Sequence, residues 1–115
     1  MDTPLVTIIL VNWNGRDDTL ACLESLAALD YPRERRHVVM VDNGSEDGSV
    51  AAVRERYPDV EVVANDSNLR FAHANNQGLD IARSRGSDFA WLLNNDTEVD
   101  SAALSALVAA AHNDD

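Results

Sequence analysis

The sequence predicts an α/β fold, a mostly parallel sheet with alternating helices. Three observations predict it. Apolar runs of strand length recur along the 115 residues. Each is followed by a segment with helical spacing of apolar residues. The joins carry turn chemistry, as in Asn14-Gly15 and Asn43-Gly44.

The first strand is predicted at 5–11 (LVTIILV), a continuous β-branched run. A helix follows over 16–29, with Leu20, Leu23 and Ala27 on one face and Asp17 and Asp18 in the first turn, where acids favour the helix dipole. Tyr31-Pro32 stops it. The second strand is 38–41 (VVMV), closed by Asp42. Ser45 is the expected N-cap of the next helix, with Glu46 and Asp47 behind it and the helix running to Tyr57, before Pro58. The third strand is 60–64, and 65–68 is a polar loop. A helix over 72–85 ends at Gly86, and the fourth strand is 89–93, apolar enough to read as buried on both faces. The last helix is 101–111, with Leu104, Leu107, Val108 and Ala111 on one face. Strands and helices in strict alternation imply right-handed crossovers and a Rossmann-like sheet. The whole of 1–115 reads as one domain.

Composition narrows the function classes. Net charge is −11, from 20 acids against nine bases, and every base is Arg. Such a surface repels phosphate backbones, so no nucleic-acid partner is expected. A high-salt cytoplasm and a high-GC genome both account for the missing Lys. Cys22, the lone cysteine, lies between apolar neighbours and reads as a core thiol, which excludes an internal disulfide. The run 5–11 is too short for a membrane span and has no basic segment before it, so a cytoplasmic location is expected.

In open parallel sheets, ligands bind beyond the carboxyl ends of the strands. The residues predicted there are Asn12, Trp13 and Asn14; Asp42 and Asn43; Asn65, Asp66 and Asn68; and Asn94, Asn95 and Asp96. Familiar alternatives fail. The chain has no GxGxxG after the first strand, no GxxxxGK[ST], and no Lys for a P-loop or a phosphoacceptor receiver. The stretch 42–48 (DNGSEDG) lacks the ligands of a calcium loop, and His37, His73 and His112 are scattered without zinc spacing. What remains is an acid after the second strand, suited to a ribose hydroxyl or base edge, and an acid after the fourth, suited to a hard divalent cation. Together they suggest a nucleoside-diphosphate ligand, with Trp13 packing against the base.

Four segments, "VTIILVNWNG" (6–15), "VVMVDNGSEDGS" (38–49), "NLRFAHANNQG" (68–78) and "WLLNNDTEVD" (91–100), resemble in order the N-terminal half of family-2 glycosyltransferases of the GT-A fold. They look most like the rhamnosyltransferase-like branch. The resemblance implies a donor-binding domain for a nucleotide-diphospho-sugar, working in an inverting transfer to an acceptor hydroxyl on a sugar, a lipid-linked molecule or a protein. It implies nucleotide-binding roles for Asn12, Trp13, Asn14, Asp42 and Asn43. Asn68, Arg70, Asn76, Asn94 and Asn95 match positions lining the donor diphosphate and sugar. Asp96 matches the metal-binding carboxylate of the DxD motif, for Mg²⁺ or Mn²⁺.

This chain departs from the family's pattern. Asn94 stands for the first acid of DxD, so metal affinity is expected to be weaker. Arg70 stands where Gly is expected; a bidentate diphosphate contact and an exposed loop position stay open. Arg33, Arg35 and Arg36 are either a solvated loop or a contact to an anionic lipid-linked acceptor, and a longer protein would then sit peripherally at the inner membrane face. Family members are longer, and their second half supplies the acceptor site and catalytic base. The domain is expected to be truncated after the NxD motif, and no residue is nominated as base. Two rival readings follow: a nucleotide-binding module that transfers nothing, and an α/β association scaffold forming a homo-oligomer through a bare sheet edge.

Overall fold

The computed structural model describes residues 3–113. β-branched runs form the two central strands, β1 (Val6–Asn12) and β2 (Arg36–Asp42). These are flanked by β3 (Glu61–Ala64) and β4 (Phe89–Asn94), all parallel, in the order β3-β2-β1-β4. The helices are α1 (Arg16–Ala27), α2 (Ser49–Arg56), α3 (Phe71–Ser84) and α4 (Ala103–Asn113), with a short 3-10 turn at Arg33–Arg35.

Alternation along the strands splits the core into two layers. Val6, Ile8, Leu10 and Met40 pack with Leu20, Leu23 and Leu26 of α1, Val53 of α2 and Leu104 of α4. Val39 and Val41 face the other way, against Ala74 and Ile81 of α3. The chain moves β1 to β2 to β3 in one direction and returns to β4 in the other. Crossovers of one hand therefore put α1 and α2 on one face and α3 on the opposite one. Gly78 lets α3 approach closely, since a Cβ there would lie 2.4 Å from Ile9 Cγ2.

Four local expectations need correction. β4 is an edge strand, not one buried on both faces: Leu92 is 48% exposed because only α3 and solvent share that side. Ser45 does not cap α2, which begins four residues later after Gly48 in a left-handed conformation; the Ser45 hydroxyl is taken by Asp42 instead. Ala27 is exposed, and the buried stripe of α1 is Thr19, Leu20, Cys22, Leu23 and Leu26. Leu107 of α4 is 47% exposed at the rim of an apolar groove against β4, while Leu104 is buried. Among the described residues no helix is long and apolar enough to cross a membrane.

Candidate functional site

Three strands end together. Asn12 lies in register beside Asp42, and Asp42 beside Ala64. On the other side Val11 lies beside Asn94, so the Asn95-Asp96 turn starts next to the end of β1. The sheet reverses its order between β1 and β4, and the crevice at such a switch point is where α/β sheets receive ligands.

Asn12 is the hub of this edge. It is 0% exposed, and each end of its amide is used. Its Nδ2 donates to Asp42 Oδ1 (2.8 Å) and to Ser45 Oγ (3.2 Å). Its Oδ1 accepts from Thr19 Oγ1 (2.8 Å), the Gly15 N–H (3.2 Å) and Asn95 Nδ2 (3.3 Å). Asn95 Nδ2 also donates to Thr19 Oγ1 at 3.0 Å. One side chain thus ties the loop after β1, the loop after β2 and the turn after β4.

Asp42, 1% exposed, also accepts from the Ser45 hydroxyl (2.7 Å, Oδ1) and the Ser45 N–H (2.8 Å, Oδ2). Three bonds fix the carboxylate and leave acceptor capacity on Oδ2. The loops after β1 and β2 are clamped further. Asn14, at φ 51°, donates its N–H to Ser45 Oγ (2.8 Å) and accepts the Glu46 N–H on Oδ1 (2.8 Å). Asp47 accepts the Arg16 N–H on Oδ2 (3.0 Å) and the Ser49 N–H on Oδ1 (3.0 Å). Burial pushes the Asp47 carboxyl up, but the Ser49 hydroxyl and the Arg16 and Ser49 N–H groups outweigh that and hold it below the usual range.

A second amide chain supports the loop before α3. Asn43 donates Nδ2 to the Leu69 carbonyl (2.9 Å), and its Oδ1 accepts from Asn65 Nδ2 (3.1 Å). Asn65 and Gln77 exchange two bonds, at 2.8 and 2.9 Å. Gly44 sits at φ 84°, with Ser67 backbone atoms 3.1 Å from where a Cβ would be, so only glycine lets the two loops meet.

The predicted site residues therefore divide. Asn12, Asn43 and Asn95 were expected to face ligand, but their amides turn into the protein because neighbouring loops need both ends of each. Trp13 is 56% exposed at the mouth, and Asn68, Arg70, Asn76, Asn94 and Asp96 are exposed around the same edge. Among the described residues no group of three or more His, Cys, Asp and Glu side chains is placed to hold a metal. Sequence reasoning missed Thr19 and Gln77, and it gave Asp47 to the helix start alone. A hydroxyl on the buried stripe of α1 was the available signal for Thr19.

The profile of "Glycosyl transferase family 2" matches residues 7–115. Glycosyltransferase AglE of Haloferax volcanii is 29% identical over 92 residues, covering 77% of this chain and 30% of that protein. The structure of mannosyltransferase PcManGT from Pyrobaculum calidifontis, in complex with GDP-Man and Mn²⁺, superimposes with a TM-score of 0.74 at 29% identity, over 90% of this chain and 31% of that one. TarS of S. aureus shares the fold, with a TM-score of 0.81 at 22% identity over 91% of this chain and 31% of that one. This chain thus spans less than a third of the length of these proteins. A match running from β1 through α4, over a sheet that gathers Asp42 and Asp96 at one edge, identifies the protein: it belongs to glycosyl transferase family 2.

Proposed function

We propose that this chain is the donor half of an inverting glycosyltransferase and binds a nucleotide-diphospho-sugar at the carboxyl edge of its sheet. One observation carries the proposal: the registered strand ends bring a fixed carboxylate, Asp42, and a free one, Asp96, to the two sides of the β1 end. Trp13 stacks on the base, and the remaining acceptor capacity of Asp42 reads a base or ribose hydrogen. Asn14 and Asn43 hold the loops that flank the nucleotide. Arg70, Asn68 and Asn76, exposed around the start of α3, meet the diphosphate and sugar. PcManGT, seen with GDP-Man and Mn²⁺, supports a donor of this class.

The residues fit a divalent cation of the Mg²⁺ or Mn²⁺ kind. Such ions take one or two protein carboxylates and complete their shell with phosphate oxygens and water. Asp96 is one exposed carboxylate, with the Asn94 amide two residues before it. Asp96 and Asn94 would hold such a cation, which would supply charge neutralisation at the diphosphate. In the transfer, the acceptor hydroxyl oxygen bonds to the anomeric carbon, the bond from that carbon to the diphosphate breaks, and a base takes the hydroxyl proton. No residue of this chain is assigned as that base. Asn94-Asn95-Asp96 in place of DxD supports the rhamnosyltransferase-like branch, and hence dTDP as a nucleotide to try.

Calorimetric titration of UDP, GDP and dTDP, with and without Mn²⁺, tests this. Metal-dependent binding of one nucleotide is expected. No binding by a chain with intact circular dichroism would sink the proposal.

A second reading, self-association, is favoured by the free edge of β4 and the apolar groove between β4 and α4. Sedimentation equilibrium decides it: a monomer at high concentration rules it out.

A further inference from the structure

A cavity lies at the other end of the sheet. It measures about 510 Å³ and is lined by the start of β2, the end of α2 and the end of α3. Four of the chain's nine arginines line it: Arg33, Arg36, Arg56 and Arg85. Only two acids, Glu34 and Asp59, share that lining, in a chain with twenty. The balance of charge is therefore inverted here relative to the whole molecule.

Helix dipoles explain part of this. Arg56 closes the last turn of α2, and Arg85 caps α3, where cations are favoured. They do not explain why both converge with Arg33, which is on no long helix. Arg36 removes the main objection to an anion, the negative end of α1. Its guanidinium donates to the Leu26 (2.9 Å), Ala27 (3.4 Å) and Tyr31 (3.1 Å) carbonyls, covering the exposed end of that helix with positive charge. Among the described residues the only arginine in an ion pair is Arg83, outside the cavity, so Arg33, Arg56 and Arg85 are in none. Burial, and after it the nearby Arg33 charge, lower the affinity of Arg36 for its proton, as expected where like charges meet.

We infer that this cavity binds a phosphoryl anion, either a free phosphate compound or a phospholipid headgroup, with Arg33, Arg56 and Arg85 as its ligands and Arg36 as its fixed floor. Guanidinium forks match phosphate oxygens in pairs, and the apolar wall of Leu23, Val38 and Val60 limits competing water. The site is at the amino end of the strands, opposite Asp42 and Asp96, so it is independent of the donor edge.

The test uses the chain in EDTA at low ionic strength. Inorganic pyrophosphate is titrated by calorimetry, and phosphatidylcholine vesicles with and without phosphatidylglycerol are co-sedimented with the chain. Binding in either arm is expected, in the first for a free anion and in the second, only with the anionic lipid, for a headgroup. Arg33→Gln/Arg56→Gln should weaken it by about tenfold or more. Asp96→Ala should leave it unchanged. Arg85→Gln repeats the test should the double variant fail to fold. No binding in both arms, or binding indifferent to the arginine variants, overturns the inference.

Discussion

Asn12 and Asp42 face each other across β1 and β2, and the Asn12 amide donates to the Asp42 carboxylate at 2.8 Å. Both side chains are buried, so the bond sets the position of an acid that can no longer choose its own. Asn12→Ala takes one donor from a buried carboxylate and the acceptor from Thr19, Gly15 and Asn95 at once. Breaking such a network costs about 2–4 kcal/mol. Urea unfolding should show that loss with an unchanged m-value, and a loss under about 0.5 kcal/mol would refute the hub.

Asp47 predicts a pH dependence. Its folded carboxyl is held below the ordinary value of 3.8 by the Ser49 hydroxyl and three backbone N–H groups, those of Arg16, Ser49 and Asp47 itself, which overcome burial. A depressed acid contributes stability that is complete above the unfolded value and lost as pH falls through the folded one. Asp47→Asn should therefore be less stable than the parent at neutral pH, with the difference shrinking below about pH 4. Urea midpoints against pH check this; a difference that stays constant with pH would show that Asp47 acts through shape alone.

Gly78 is required by packing. A methyl there meets Ile9 Cγ2 at 2.4 Å in a strand that cannot retreat. Overpacking of this kind costs about 1–3 kcal/mol, against about 1 kcal/mol that Ala returns as the better helix former. Gly78→Ala should be net destabilising. Paired with Ile9→Ala, it should cost less than the two changes summed, and additivity would remove the contact from the explanation.

The central strands were legible because β-branched runs buried on both faces have no other home. The edge character of β4 was not, because strand order depends on where the third crossover returns, and Phe89–Asn94 is as apolar as a central strand. The acids and amides at the strand ends were legible as a group. Their orientation was not. Asn95 and Asp96 are neighbours, yet Asn95 reaches back to Thr19 of α1, some 76 residues earlier, and no local pattern signals such a bond. Ser45 misled for a related reason. Its hydroxyl had two plausible uses, a helix cap and an Asp42 turn, and the turn won because it satisfies a buried carboxylate.

Cys22 is 0% exposed, and its thiol is pushed up to about 11, by burial first and then by the charges of Asp96 and Glu98. Thiolate is the reactive form, so Cys22 should resist Ellman's reagent at neutral pH in the folded chain. Labelling should become fast in urea and follow the unfolding curve. Rapid labelling under native conditions would contradict the packing of α1 on the sheet.

The neighbours Asn95 and Asp96 should separate stability from binding. Asn95 donates to Asn12 and Thr19 inside the protein, so Asn95→Ala leaves Thr19 and Asn12 short of a partner and should cost about 1–2 kcal/mol. Asp96 is exposed, and its side chain has no hydrogen bond among the described residues. Asp96→Ala should leave stability within about 0.5 kcal/mol. In nucleotide titrations the order should reverse. Asp96→Ala should abolish the Mn²⁺-dependent part of binding, since it removes the carboxylate assigned to the ion. Asn95→Ala, still folded at moderate temperature, should retain metal dependence with weaker affinity, because the turn carrying Asp96 has lost its tether to β1. The two scales, urea midpoint and metal-dependent affinity, must rank the variants in opposite order. The same order on both would mean that Asp96 acts through the fold, and the proposed metal role would be lost.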